Sequence, residues 1–405
     1  MPSTPPAGEP APADGALPSQ ALEVAGSRGF SLYLHVPYCR TRCGYCDFNT
    51  YTAEELGPGV SRESYADQAI AEVRFARQVL GDLDLPVQTV FVGGGTPTLL
   101  PAADLGRMLA AVDAEFGLAP DAEVTTEANP DSVDADSLIQ LRDQGFTRMS
   151  FGMQSTAPHV LALLERTHTP GRAIAAVAEA RAAGFEHVSL DLIYGTPGES
   201  AADFGGSLEA AVSSGVDHVS AYSLIVEDGT RLAGRIRRGE LPMPDDDVAA
   251  DRYLQADAVL SASGLQWYEV SNWARPGAEC RHNLAYWRSA DWWGIGPGAH
   301  SHVGGVRWWN VRHPAAYAAR LSAGQSPAQA REVLSDADQQ VEDILLRIRL
   351  SDGLPLASLS YEGRIGAARA HGDGLLEPSD YSGGVAVLTL RGRLLADAVV
   401  RELVE

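Results

Sequence analysis

Lysine is absent from this 405-residue chain, so all 31 basic side chains are arginine. Schiff-base chemistry, pyridoxal anchoring and the phosphate-loop lysine are excluded together. Arginine keeps its proton near neutral pH, which leaves it to clamp anions or pair with carboxylates. Positive charge is scarce as well. With 53 acidic residues the formal net charge is −22, a field that repels phosphate backbones and argues against a nucleic-acid partner. The four cysteines are too few for a disulfide framework in a chain of this length. No apolar run reaches about 18 residues, and no basic segment precedes an apolar one at the N-terminus, so neither a membrane span nor a secretory leader is expected. These absences predict a cytoplasmic protein.

Hydrophobic residues at 45% and charged residues at 21% are ordinary for a globular chain with a large core. Residues 1–28, rich in Pro, Ala, Gly and Ser, hold almost no large apolar groups and are expected to be disordered. From Ser31 onward apolar runs of strand length alternate with helical stretches. The expected strands are Leu32–Val36, Thr89–Val92, Glu123–Glu127, Arg148–Met153, His187–Ile193 and His218–Leu224. Such alternation builds a parallel sheet, either an open doubly wound one or a partial barrel, with ligands at the carboxyl ends of the strands. All seven tryptophans lie between Trp267 and Trp309, where a hydrophobic layer closing the domain competes with a flat surface for a planar ligand. The pattern divides the chain into a barrel over 29–265, a Trp-rich connecting region over 266–335 and a helical, winged-helix-like module over 336–405. Acidic residues outnumber basic ones in that module, which argues against a DNA reader.

Three of the four cysteines stand in Cys39-Arg-Thr-Arg-Cys43-Gly-Tyr-Cys46, a C-x3-C-x2-C loop directly after the first long strand. Three thiolates at this spacing suit a cubane iron–sulfur cluster whose fourth iron is open to an exchangeable ligand. The competing reading is a zinc ion completed by His35 or Cys280, although the paired knuckles usual for structural zinc are missing. Phe91-Val-Gly93-Gly94-Gly95-Thr96-Pro-Thr98 follows the second strand, with glycines that let the backbone approach a small charged ligand. Glu127, Gln154 and Asp191 lie at or near the ends of later strands, and Arg166 ends a helix. Any one of them could be structural, but their recurrence at successive strand ends favours a common site.

The cysteine loop, with Tyr45 as the aromatic before its last cysteine, resembles the radical S-adenosylmethionine superfamily. The resemblance implies a partial (β/α)6 TIM-like barrel, a [4Fe-4S] cluster on Cys39, Cys43 and Cys46, and S-adenosylmethionine chelated to the open iron. Tyr33-Leu-His-Val-Pro-Tyr-Cys39, Gly93-Gly-Gly-Thr-Pro-Thr98 and Leu190-Asp-Leu-Ile-Tyr-Gly195 further resemble the oxygen-independent coproporphyrinogen III oxidase family. In that family the residues matching Tyr33, Tyr45, Gly94, Gly95, Thr96, Glu127, Gln154, Arg166 and Asp191 contact S-adenosylmethionine. Its decarboxylases carry a further cysteine two residues after the third, where this chain has Phe48. The heme-chaperone branch instead carries H-N-x-x-Y-W, which His282-Asn283-Leu-Ala-Tyr286-Trp287 matches.

That resemblance implies heme as ligand and an acceptor hemoprotein, respiratory or membrane-associated, as partner, with a homodimer left open. Neutral imidazole is a common axial ligand of heme iron, which makes His282 the expected ligand, with His300, His302 and Cys280 as rivals. Oxidative decarboxylation of coproporphyrinogen III is the alternative activity, and a zinc-stabilised interaction protein the non-catalytic one.

Overall fold

The computed structural model describes residues 8–56 and 61–404. A short strand, β1 (Glu9–Pro10), precedes six strands separated by helices: β2 (Phe30–Val36), β3 (Val87–Gly94), β4 (Leu118–Ala128), β5 (Arg148–Gln154), β6 (His187–Tyr194) and β7 (His218–Ser223). From β2 to β7 each strand pairs in parallel with the next, so chain order and spatial order coincide. This is the order of a (β/α)6 partial barrel; a doubly wound sheet would reverse at a switch point.

The local reasons are legible. The helix Tyr65–Leu80 buries Tyr65, Ala66, Ala69, Ile70, Val73, Ala76 and Leu80, a stripe at three- and four-residue spacing, and stops at Gly81 with φ +62°. The helices Ala135–Asp143 and Ala201–Ser213 start from capping boxes, Asp134 with Ser137 and Ser200 with Asp203. Strand β5 is buried along its whole length, as a central parallel strand covered on both faces must be.

The tryptophan-rich segment extends this sheet at both margins. β8 (Gln266–Glu269) and β9 (Asn272–Ala274) form a hairpin antiparallel to β7. β10 (Asp291–Ile295) then returns to the other margin and pairs in parallel with β2, followed by antiparallel β11 (His300–Val303), β12 (Val306–Asn310) and β13 (Ala328–Val333). Most of the tryptophans are core. Trp273 is fully buried, and Trp293 meets Trp308 edge-on with centroids 4.7 Å apart. Buried Glu72 ties the extension to the barrel. It accepts hydrogen bonds from the Gly296 amide (2.7 Å), Asn310 Nδ2 (2.7 Å) and the Tyr317 hydroxyl (2.5 Å), while burial pushes its carboxyl up to about 7.

The disorder expected over residues 1–28 is corrected for 8–28; residues 1–7 lie outside the described residues. Here β1 pairs with β13, the Ala13 carbonyl accepts from the Ser326 amide (2.7 Å), and residues Ser19–Val24 form a helix. Small residues allow this close packing: a Cβ on Gly8 would lie 2.7 Å from the Trp309 ring, and one on Gly15 would lie 2.8 Å from Phe75. A segment poor in apolar groups is thus ordered by the aromatic surface it covers.

The C-terminal module has its own core, from Ile344 and Ile348 through Leu359, Ala367 and Leu376 to Val399 and Leu403. It comprises the helices Asp336–Arg347, Tyr361–Gly372 and Ala396–Val404, and a two-residue ribbon of Leu354–Pro355 against Val385–Ala386. The ribbon's second strand stops at Ala386, and Leu390 begins a helical turn capped by Thr389. Arg393 docks the module on the barrel, pairing with Asp257 (2.7 Å) and lying 4.4 Å over the Trp267 ring. Among the described residues no helix is long and apolar enough to cross a membrane.

Candidate functional site

The carboxyl ends of the barrel strands bring together the cysteine loop, the glycine loop and the strand-end polar residues. Beyond β2 the chain leaves as Pro37-Tyr38 and returns at Tyr51. The loop between is closed by hydrogen bonds from the Tyr51 amide to the Pro37 carbonyl (2.7 Å) and from the Cys39 amide to the Tyr51 carbonyl (3.0 Å). The glycine loop is fastened to it, with the Gly95 amide donating to the Val36 carbonyl (2.8 Å) and the Thr96 amide to the Tyr38 carbonyl (2.7 Å). A Cβ on Gly95 would stand 2.4 Å from the Tyr38 oxygen and 3.0 Å from Cys39 Sγ, so only glycine allows this approach. The ring of Tyr45 packs on a small apolar cluster that includes Leu164 and Leu232, and the Leu232 amide donates to the Gly44 carbonyl (2.8 Å).

Two non-glycine residues here adopt left-handed backbone, a costly conformation that tends to gather at functional sites. Gln154 has φ +65° where the β5–β6 register shifts, and Glu165 has φ +55°. The second turns Arg166 into the site, three residues beyond the helix Pro158–Leu163 that sequence periodicity carried to Arg166. There Nη2 donates to the Gly152 carbonyl (2.8 Å), and Nη1 lies 3.7 Å from Cys43 Sγ. Its Nε is buried with no hydrogen-bond partner among the described residues. Glu165 and Gly152 were not singled out from the sequence. Gly152 had a visible signal in Phe-Gly-Met-Gln, since a Cβ there would fall 2.7 Å from Arg166 Nη2.

Deeper in the lumen stand two carboxylates. Glu127 accepts from the Gly94 amide (3.1 Å), and Asp191 accepts from the Ser150 hydroxyl (3.0 Å). Burial and the like charge of Asp191 push the Glu127 carboxyl up to about 8; burial pushes Asp191 to about 6. The Tyr33 hydroxyl donates to His35 Nδ1 (3.0 Å), whose Nε2–H donates to the Asn49 carbonyl (2.9 Å). Burial brings His35 down to about 4, so its imidazole stays neutral at pH 7.

This geometry fits the expected cofactors. Three half-buried cysteines outside any disulfide share one loop, Arg166 reaches Cys43 from beside it, and Glu127 and Asp191 are carboxyls raised by burial. Cys39, Cys43 and Cys46 would hold the cluster; the glycine loop, Glu127, Gln154, Arg166 and Asp191 would hold a ligand with cationic and anionic ends. When bound, the cluster and S-adenosylmethionine supply one-electron chemistry at the sulfonium. Zinc completion fits poorly. Both His35 nitrogens are hydrogen-bonded, and Cys280 lies at the opposite end of the barrel beside Glu123 (3.6 Å).

The motif helix Arg281–Trp287 closes that opposite, amino-terminal end. Glu123 at the start of the core of β4 accepts from Arg148 Nε (3.1 Å) and from the His282 amide (3.1 Å), and Arg148 Nη2 donates to the Ala278 and Glu279 carbonyls (2.7 and 3.0 Å). His282 is 1% exposed. Since the Thr89 hydroxyl donates to Ser31, Thr89 Oγ1 accepts from His282 Nδ1–H (2.6 Å), which leaves Nε2 to accept from the Tyr286 hydroxyl (2.9 Å). The ring also stacks on Phe91 at 5.2 Å. Both nitrogens are therefore engaged, and the residue is not brought together with the cysteine loop.

Comparison with known proteins places this geometry. Residues 33–211 match the Radical SAM superfamily. The chain is 57% identical over 375 residues to the heme chaperone HemW of Mycobacterium tuberculosis, covering 92% of this chain and 94% of that one. To the heme chaperone HemW of Escherichia coli it is 35% identical over 347 residues, with coverage of 82% and 86%. Among solved structures, the coproporphyrinogen III oxidase HemN of Escherichia coli superposes with a TM-score of 0.81 over 96% of this chain and 94% of that one, at 23% identity, a likeness of fold. The chain belongs to the HemW family of the radical S-adenosylmethionine superfamily.

Proposed function

We propose that this protein binds heme and passes it to an acceptor hemoprotein, while carrying a [4Fe-4S] cluster and S-adenosylmethionine at the cysteine end of its barrel. The observation that carries the reading is the likeness to heme chaperones along nearly the whole chain, at 57% identity. In residue terms, Cys39, Cys43 and Cys46 hold the cluster. Tyr33, Tyr45, Gly94, Gly95, Thr96, Glu127, Gln154, Arg166 and Asp191 surround S-adenosylmethionine. His282 enters as the ring that locks the motif helix to the barrel, and becomes an iron ligand only if Tyr286 releases Nε2.

Decarboxylation of coproporphyrinogen III is the weaker reading, because the position after Cys46-Asp47 holds a half-exposed phenylalanine, Phe48, in place of the further cysteine. The acceptor belongs to the respiratory or membrane-associated hemoproteins in this reading, and the chaperone works in the cytoplasm, as a monomer or a homodimer. Anaerobic heme titration of the cluster-loaded protein, then mixing with an apo-hemoprotein, tests it. Saturable binding followed by transfer supports the reading; no binding, together with carbon dioxide release from coproporphyrinogen III, overturns it.

A further inference from the structure

The aromatic face of the sheet extension carries two histidines besides the buried His282, and they are not equivalent. His300 stacks on Trp309 (5.9 Å, 27°), and the charges acting on it are the guanidiniums of Arg307 and Arg312. His302 meets a carboxylate instead: its Nδ1 is buried 3.4 Å from Asp291 Oδ1, without a hydrogen-bond partner among the described residues. That carboxylate is itself fixed, since Oδ2 accepts from the Gly26 amide (2.7 Å) and Oδ1 from the Gly304 amide (2.9 Å). With Nδ1 directed at Asp291, Nε2 on the far edge of the ring is turned away from it, and no residue among those described hydrogen-bonds to it.

The support behind this ring is continuous. His302 stacks on Trp292 (5.3 Å, 29°), whose Nε1–H donates to the His300 carbonyl (2.9 Å). Trp292 takes the Tyr286 ring on its edge (4.7 Å, 76°), and the Tyr286 hydroxyl is held by His282. Two members of the H-N-x-x-Y-W motif thus act as a brace whose outermost element is His302. Trp292, Tyr286 and His302 are all partly exposed, whereas His282 is sealed.

We propose that His302 Nε2, oriented by Asp291 and backed by Trp292, is the axial ligand through which this protein holds heme iron. The proposal rests on the heme reading above and names its ligand. Asp291 Oδ1, 3.4 Å from Nδ1, is placed to take that N–H when Nε2 binds a metal, and such a bond fixes the tautomer and raises the basicity of a metal-bound histidine. A neutral imidazole is an ordinary axial ligand of heme. In this account Asp291, Trp292, Tyr286 and His282 are positioning residues.

The test is anaerobic titration of the full-length, cluster-loaded protein with ferric heme, read by visible and magnetic circular dichroism spectra. Wild type, His302→Ala, His302→Met and His282→Ala are compared. His302→Ala is expected to lose the histidine-ligated spectrum and to bind about tenfold or more weakly, and added imidazole is expected to restore the spectrum. His302→Met is expected to shift the heme bands, reporting a thioether in place of imidazole, and His282→Ala to keep histidine ligation. The proposal is overturned if both His302 variants keep the wild-type spectrum, or if histidine ligation vanishes in His282→Ala alone; the heme reading survives either result. Wild type that binds no heme overturns the reading and the proposal together.

Discussion

The two ends of the barrel are built on opposite terms. At the carboxyl ends of the strands the structure holds two left-handed non-glycine residues, a guanidinium nitrogen with no hydrogen-bond partner among the described residues, three cysteines outside any disulfide, and carboxyls that burial has pushed toward neutrality. At the amino-terminal end Arg148, Glu123 and His282 are just as buried, yet Glu123 and His282 have each polar atom paired, and Arg148 reaches both Glu123 and two backbone carbonyls. Burial alone therefore does not mark a site. The informative feature is buried polarity left uncompensated, because an unsatisfied group persists only when something else gains from it. The same contrast separates the tightly bonded His282 from His302, although both lie in one aromatic stack.

The largest effect is expected at the cysteine loop. Cys43→Ala should remove the iron–sulfur absorption and the bound iron after anaerobic reconstitution, while the far-ultraviolet circular dichroism stays that of wild type; a variant retaining full iron content would contradict the cluster assignment. The opposite end should respond in stability. Arg148→Met strands the Glu123 carboxylate, and a loss of about 3–5 kcal/mol in urea unfolding is expected, the scale for breaking a buried pair. A milder version is Thr89→Val, which takes away the acceptor of His282 Nδ1–H for an expected cost of about 1–3 kcal/mol by the same measurement.

The remaining test concerns pH. In the cofactor-free protein Glu127 is raised from 4.5 to about 8. A carboxyl whose folded value lies above its unfolded one contributes stability that is full below about 4.5 and falls away as pH rises toward 8. Glu127→Gln should therefore flatten the decline of Tm across that interval and exceed wild type at its upper end. Equal slopes for the two proteins would show that the carboxyl is better solvated than its surroundings indicate.

Much of the barrel could be read from the amino acids because its elements satisfy local rules. Strands such as His187–Ile193 carry Val188, Leu190, Leu192 and Ile193 within a short span, helices such as Tyr65–Leu80 keep a clean stripe, and capping pairs mark helix starts such as Ala135. The cysteine loop and the triple glycine were legible for a related reason: their spacing is itself the chemistry. What composition could not show was anything that depends on a distant surface. Residues 8–28 look solvent-loving in isolation and are ordered by Trp309, Phe75 and β13. Glu165 carries no signal in its side chain, since its part is a backbone angle that aims Arg166. His282 drew attention by its motif, but whether an imidazole is free or saturated is decided by Thr89 and Tyr286.

The margin of the large sheet has one more consequence. Strand β13 would present a row of open backbone groups to solvent, the template on which a second chain could add. Strand β1 covers it at Ala330 and Arg331 and ends in Pro10, which has no N–H to offer outward. With β1 in place, fewer backbone groups of β13 are open to strand-by-strand addition. A chain shortened to begin at Ser19 should keep its barrel yet scatter light increasingly with concentration, more steeply than the chain that retains β1.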